Sequence, residues 1–138
     1  LRTTRGRIVV VASVAGLTGV PTRTGYCASK HAVIGFFDSL RIELKGTGVS
    51  VTVIAPDFVV SEIHQRSLAA DGTPVGQVTI QHSKAMPTDE CARIIVDATA
   101  KRKRMVITSL RGKLGRLIRP LVPGLINRIA ARAIRRGR

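Results

Sequence analysis

One stretch of the chain decides the fold: GRIVVVASVAGLTGVPTRTGYCASKHAVIGFFDSLRIELKGTGVSVTVIAPDFV (6–59). It opens with an apolar run at 6–13 and closes with a β-branched run at 49–56, and both are typical of strands covered on both faces in a parallel sheet. Between them, apolar residues recur at helical spacing over 26–45. Strand, long helix and strand predict a βαβ unit with two parallel strands.

The sequence after this unit predicts one further strand and three further helices. Residues 57–87 are rich in Ser, Gly, Thr and Gln and show no clear period, which indicates a long loop. Thr88 is the expected N-cap of the next helix, because its hydroxyl is placed just before an acidic first turn. A third strand is expected at 104–108, and two helices separated by prolines follow at 109–118 and 123–136.

The charge of this protein is distributed unevenly along the chain. Among 138 residues, 44% are hydrophobic and 22% are charged, which is typical of a globular domain. The net charge is +15, yet residues 1–100 hold ten Lys and Arg against eight Asp and Glu. Residues 101–138 hold thirteen Lys and Arg and no acidic residue. The basic character therefore belongs to the C-terminal segment.

The two cysteines and the lengths of the apolar runs exclude two classes of protein. No run of 18 apolar residues occurs, so we predict no membrane span. Cys27 and Cys91 show neither a CxxC motif nor the His and Cys spacing of a metal site, and we assign no metal. We expect both to be free, buried thiols in a reducing compartment, which favours a cytoplasmic location.

The last predicted helix is amphipathic, and three interpretations of it stay open. Its apolar face comprises Leu125, Ile126, Ile129, Ala130, Ala133 and Ile134, and arginines lie opposite. Packing on its own domain or on a subunit partner is the first interpretation. A peripheral contact with an anionic membrane surface through 109–138 is the second. Nucleic acid is a distant third and is not expected as a partner, because aromatic residues make up only 3% of the chain and no recognition motif is present.

Three polar side chains are expected at the carboxyl edge of the predicted sheet. Tyr26 and Lys30 are four residues apart, so a helix places both on one face. Ser13 ends the first strand, and open α/β sheets bind their ligands at this edge. An ammonium beside a phenol stabilises the phenolate, and such a tyrosine can act as a general acid or base. The pair alone is common on helix surfaces, so its context in the βαβ unit carries the interpretation.

With this serine, the Tyr-x-x-x-Lys pair and the proline after the second strand, the chain resembles the classical short-chain dehydrogenase/reductases. The likeness covers 1–108 and matches the C-terminal half of that fold. It implies a partial Rossmann-like, doubly wound parallel α/β sheet, formed by the last three strands with their crossover helices. It further implies a catalytic segment at 6–61 and a substrate loop at 57–87. The charge and the predicted helices of 109–138 add a basic helical extension beyond the likeness.

The resemblance implies an oxidoreductase that uses NAD or NADP to interconvert a ketone or aldehyde with an alcohol. Tyr26 would exchange a proton with the carbonyl oxygen, and Ser13 would hydrogen-bond that oxygen. Lys30 would favour the phenolate and hold the hydroxyls of the nicotinamide ribose. The apolar residues of the substrate loop favour a lipophilic substrate, and a homo-oligomer is expected. The alternative is a truncated, non-catalytic interaction module that retains the dimerisation helix.

The segment PDFVVS (56–61) resembles the part of the family that lines the nicotinamide. Pro56 and Val59 match the family pattern, and Ser61 keeps the hydroxyl that meets the carboxamide. Asp57 departs from it, because the family usually has a glycine there, which allows a positive φ. The family's glycine-rich phosphate motif is not found, so we expect about half of a longer protein that is inactive alone.

Overall fold

The computed structural model describes residues 1–61, 72–73 and 85–135. These residues form three strands and four α-helices. Strands and helices alternate up to the third strand, and two consecutive helices follow it. The strands are β1 (Arg7–Val11), β2 (Ser50–Ala55) and β3 (Met105–Ile107). The helices are α1 (Thr24–Glu43), α2 (Thr88–Ala100), α3 (Leu110–Ile118) and α4 (Pro123–Arg135), with a 3₁₀ turn at Val14–Gly16.

The three strands form a parallel sheet in the order β1-β2-β3. Val9 lies opposite Thr52, and Val53 lies opposite Met105. Strand β2 is the central strand and is buried along 51–55, where both α1 and α2 contact it. The predicted parallel βαβ unit and the third strand are therefore confirmed.

The core lies between α1 and one face of the sheet. Ile34 of α1 packs with Ala12 and Val53, and further apolar side chains surround them. Val9 and Val11 point to the other face of β1 and are 40% and 48% exposed. The prediction that this strand is covered on both faces is therefore wrong in the described part of the chain. Strand β1 is also an edge strand of the sheet.

Helix α1 begins two residues earlier than predicted, and its fully buried side chains are not among the periodic apolar residues that predicted it, which are Ala28, Ala32, Val33, Phe36, Phe37, Leu40 and Leu44. Cys27 and Ile34 are buried, whereas Phe36, one of the periodic apolar residues, is exposed. The physical reason is that α1 is seated on the 3₁₀ turn through Gly16, which lies against Lys30 and Ile34. Apolar side chains on the opposite side of α1 therefore face outward.

The expected N-cap of α2 is wrong. Thr88 is the first residue of the helix, and Pro87 precedes it without a side-chain cap. The Thr88 hydroxyl instead donates to the Val60 carbonyl at 2.5 Å, which joins the two ends of the predicted long loop. The interior of that loop, 62–71 and 74–84, lies outside the described residues.

The two predicted C-terminal helices are present as α3 and α4. Ser109 is the N-cap of α3, because its hydroxyl oxygen accepts the Gly112 N–H at 3.1 Å. The predicted apolar face of α4 includes Ala133 and Ile134, whose side chains lie outside the described part. Among the described helices, none has the length and apolar character needed to cross a bilayer.

Candidate active site

Ser13 follows the buried Ala12, two residues after the end of β1, and its side chain caps the next element. Its hydroxyl oxygen accepts the Ala15 N–H at 3.1 Å and caps the 3₁₀ turn. The side chain is buried, and its O–H hydrogen stays available as a donor. The sequence placed Ser13 at the strand end, but its capping function was missed.

Gly16 brings this turn against the helix that carries the tyrosine and the lysine. A Cβ atom at Gly16 would lie 2.6 Å from the Lys30 carbonyl oxygen and 2.7 Å from Cδ1 of Ile34. Only glycine allows this close approach of backbone to backbone. The turn that Ser13 caps is thereby held beside the first turns of α1. The sequence analysis did not identify this function of Gly16, although its position three residues after Ser13 was the available signal.

Tyr26 and Lys30 lie together on α1, as their spacing predicts. The Lys30 ammonium nitrogen is 5.7 Å from the centroid of the Tyr26 ring. The same nitrogen donates to the Val11 carbonyl at 3.4 Å, at the end of β1. Tyr26 is 37% exposed, so the residue is partly accessible from solvent. The structure therefore brings the lysine to the strand end that precedes Ser13.

Cys27 fixes the loop that leads into α1. Its sulfur accepts the Val20 N–H at 3.3 Å, and its carbonyl lies 2.8 Å from Nδ1 of His31. Cys27 and Cys91 are both free and buried, as predicted. This contact connects the loop at Val20 to Cys27, the residue next to Tyr26. No pattern in the sequence indicated it.

The segment after β2 is held at both ends. The Pro56 carbonyl accepts the Val14 N–H at 3.0 Å, which connects this segment to the 3₁₀ turn. Val59 forms a parallel bridge with Met86, in which Val60 N–H donates to Met86 and Met86 N–H donates to Phe58, both at 2.9 Å. The N–H and C=O groups of Val59 itself take no part in these bonds and point away from Met86. Ser61 is exposed.

Asp57 does not adopt the positive φ that its alignment with a family glycine suggested. The described non-glycine residues with positive φ are Arg5, Thr22 and Arg102. Instead, the Asp57 carboxylate accepts Nε and Nη2 of Arg111 at 2.5 and 2.8 Å. Its N–H donates to the Thr108 hydroxyl at 3.1 Å. The backbone is therefore held by side-chain partners.

The charge of Asp57 is stabilised by the helix that follows β3. Burial raises the pKa of Asp57, but hydrogen bonds from the side chains of Arg111 and Ser109 outweigh it and hold this pKa below its ordinary value. The Arg111 guanidinium also lies 5.3 Å from the centroid of the Phe58 ring. Arg119, also after β3, donates to the Leu17 carbonyl. Helix α3 and its C-cap thus contact both loops beside the candidate site.

Comparison with known proteins identifies the family. The family model described as short chain dehydrogenase matches residues 1–72, which is more than half of the chain. The chain belongs to the short-chain dehydrogenase family. It is 36% identical over 135 residues to the rat (Rattus norvegicus) dehydrogenase/reductase SDR family member 7B, covering 97% of this chain and 42% of that protein. A Dictyostelium discoideum SDR family protein 7-like sequence is 36% identical over 126 residues, covering 91% of this chain and 38% of that protein.

Solved structures of short-chain dehydrogenases share the fold. A short-chain dehydrogenase/reductase from Burkholderia phymatum, in complex with NAD, has a TM-score of 0.68 at 27% identity over 86% of this chain and 48% of its own. A short-chain dehydrogenase from Burkholderia cenocepacia, in complex with NADP, has a TM-score of 0.72 at 16% identity over 94% and 49%. The predicted Rossmann-like α/β fold is confirmed. This short-chain dehydrogenase chain spans less than half the length of these relatives.

Proposed function

We propose that the protein carrying this chain is a nicotinamide-dependent oxidoreductase that interconverts a carbonyl compound and an alcohol. The observation that carries the proposal is the placement of Ser13, Tyr26 and Lys30 at one edge of a short-chain dehydrogenase sheet. Lys30 contacts the strand end and lies beside the tyrosine ring, while Gly16 holds the capped turn on the same helix. These are the groups needed to bind a carbonyl oxygen and give it a proton.

In the direction of reduction, each of the three side chains has a distinct task. The Ser13 hydroxyl donates a hydrogen bond to the carbonyl oxygen, because its own oxygen already accepts the Ala15 N–H. The Tyr26 hydroxyl transfers its proton to that oxygen as negative charge develops on it. The Lys30 ammonium stabilises the phenolate that remains. In oxidation, the tyrosinate takes the proton back from the alcohol.

The residues present fit a nicotinamide ring and its ribose. A carboxamide carries one acceptor and one donor group, and the N–H and C=O of Val59 that the Met86 bridge leaves unused are complementary to it. The exposed Ser61 hydroxyl would meet the same carboxamide, with Pro56 beside the ring. Lys30 would hold the ribose hydroxyls. When bound, the nicotinamide supplies or accepts the hydride at the substrate carbon.

Two further properties are proposed from exposed apolar side chains. Phe58 and Val60 are exposed beside the nicotinamide segment, which supports a lipophilic substrate. Phe36 and Ile42 are exposed on α1, which supports a homo-oligomer that pairs through this helix. The same surface would serve the alternative, a non-catalytic interaction module.

The catalytic proposal is tested with Tyr26→Phe in the intact protein. Turnover of a panel of ketones and aldehydes with NADH or NADPH should fall about 10²–10⁴-fold, because the transferable proton is lost while the ring is kept. Lys30→Met should lower both turnover and cofactor affinity. The matched control Lys45→Met, an exposed lysine just after the same helix, should leave both unchanged. A Tyr26→Phe enzyme with wild-type turnover would overturn the proposal.

A further inference from the structure

Helix α3 turns its apolar face toward solvent, whereas an ordinary surface helix turns that face toward the core. Leu110, Leu114 and Leu117 lie on one face and are 72%, 49% and 70% exposed. Gly112, on the opposite face, is packed so closely that a Cβ atom would lie 2.8 Å from Ile107 and 2.9 Å from Val14 side-chain atoms. A leucine-rich face normally turns toward the core. Here the glycine turns inward and the leucines turn outward.

Specific contacts set this orientation. Arg111 holds the Asp57 carboxylate, and Arg119 donates to the Leu17 carbonyl, so both arginines are directed at the domain. The hydroxyl of Ser109 caps the helix on the same side as Gly112. Rotating α3 to bury its leucines would break these bonds. The outward leucine face is therefore a fixed property of the fold.

The apolar surface continues along the chain into α4. Leu121 follows α3 and is 81% exposed, and Leu125 and Ile129 of α4 are also exposed. The predicted apolar face of α4 is divided, because Ala130 lines a small cavity together with Asn127 and residues 19–21 while Leu125 and Ile129 face outward. The exposed side chains form what we term the leucine face: Leu110, Leu114, Leu117, Leu121, Leu125 and Ile129.

The charges around the leucine face select its partner. Lys113 is exposed on α3, and Arg128 and Arg132 are exposed on α4, whereas Arg116 donates to the Met105 sulfur of β3. No acidic residue occurs in 101–138 to neutralise them. Two copies of this face would bring like charges together, which disfavours self-association. Exposed leucines flanked by cations are instead complementary to a layer with an apolar interior and an anionic surface.

We propose that the leucine face docks on an anionic lipid bilayer, with its apolar side chains inserted at the interface and its cations among the headgroups. The helices lie in the plane of the membrane and do not cross it. This interaction goes beyond the oxidoreductase activity and does not depend on it. Because α3 also holds the loops beside the candidate site, docking would place that site close to the lipid surface.

The test is flotation of the intact protein with vesicles of phosphatidylcholine alone or with added phosphatidylserine. Binding is expected only with phosphatidylserine. Leu117→Gln should weaken it about tenfold or more, because burial of one leucine is lost. Val96→Gln is the matched control, since Val96 is 69% exposed on α2, outside the leucine face. This control variant should bind like the wild type.

A second variant tests the contribution of the cations to vesicle binding. Lys113→Gln with Arg128→Gln should weaken binding about 20- to 30-fold, since each cation near such a surface contributes about 1 kcal/mol. Raised salt should weaken wild-type binding in the same direction. Equal binding to neutral vesicles, or no binding to either kind, would overturn the proposal. So would sedimentation data in which Leu117→Gln dissociates an oligomer while vesicle binding is unchanged.

Discussion

Helices α1 and α3 contain similar types of residue but are oriented in opposite ways. Both carry apolar and basic side chains, and both are seated on the domain through a closely packed glycine. In α1, Ile34 packs in the core and Lys30 reaches the end of β1. In α3, the leucines face outward and Arg111 reaches inward to Asp57. The comparison teaches that close backbone approach and charged contacts can decide which face of a helix is buried.

The two glycines differ in what surrounds them. A Cβ at Gly16 would meet the backbone of Lys30, which cannot move without moving α1. A Cβ at Gly112 would meet mainly side-chain atoms of Ile107 and Val14, which have some freedom to adjust. The seating of α1 should therefore be more sensitive to substitution than the seating of α3.

The largest expected effect on stability is that of Gly16→Ala. Overpacking against the Lys30 backbone should reduce the free energy of unfolding by about 1–3 kcal/mol. The control Gly35→Ala should raise the free energy of unfolding by about 0.5–1 kcal/mol, because nothing lies within 4 Å of a Cβ atom added there in α1. Denaturant unfolding measures both variants. If both alanine variants are equally stable, the close approach of the 3₁₀ turn to α1 does not exist in solution.

The next effect concerns the contact that orients α3. Arg111→Met leaves the Asp57 carboxylate, whose side chain is only 12% exposed, without its main partner. The expected loss in the free energy of unfolding is about 1–2 kcal/mol. Arg93→Met is the control, because Arg93 and Asp89 form a pair with side chains that are 76% and 71% exposed. Loss of such an exposed pair should change stability by less than about 1 kcal/mol.

The same contact predicts a pH dependence. The pKa of Asp57 is lower in the folded protein than its ordinary value of 3.8. The stabilisation from its charge is therefore complete above that value and is lost as the pH falls through the lowered folded pKa. The thermal unfolding midpoint of the wild type should therefore fall as the pH is lowered from 5 to 2. The loss should be smaller in Arg111→Met, and parallel curves for the two proteins would contradict the assigned contact.

The smallest effect is expected within α3 itself. Gly112→Ala should cost about 1 kcal/mol or less, because the neighbouring side chains yield while the helix gains propensity. Gly115→Ala has nothing within 4 Å and should stabilise by about 0.5–1 kcal/mol. Thermal unfolding measures both. A Gly112→Ala variant as stable as Gly115→Ala would mean that the inward seating of α3 is looser than described.

Much of the fold and part of the candidate site follow from short-range patterns. The strands and helices were predictable because apolar residues recur with the period of the element that contains them. Tyr26 and Lys30 share a face because they are four residues apart on one helix. The N-cap at Thr88 was mispredicted, since a threonine before a helix has the right chemistry whether it caps its own helix or binds Val60.

The contacts that support the site had no comparable local signal. Arg111 meets Asp57 across 54 positions, and Arg119 meets Leu17 across 102. In the sequence both arginines belong to a uniformly basic segment, and nothing distinguishes them from their neighbours. Their function depends on which strand ends the parallel sheet places side by side.

The sequence by itself determined that Leu110, Leu114 and Leu117 share one face of α3, because residues three and four apart lie together on a helix. Only the tertiary structure decided that its leucines face outward. Gly112 allows the helix to approach Ile107 and Val14, and the buried Asp57 carboxylate requires a cation from the same side. Turning the leucines inward would break the Arg111–Asp57 pair and the close packing of Gly112 at the same time. The orientation of α3 therefore follows from long-range contacts and not from its own pattern.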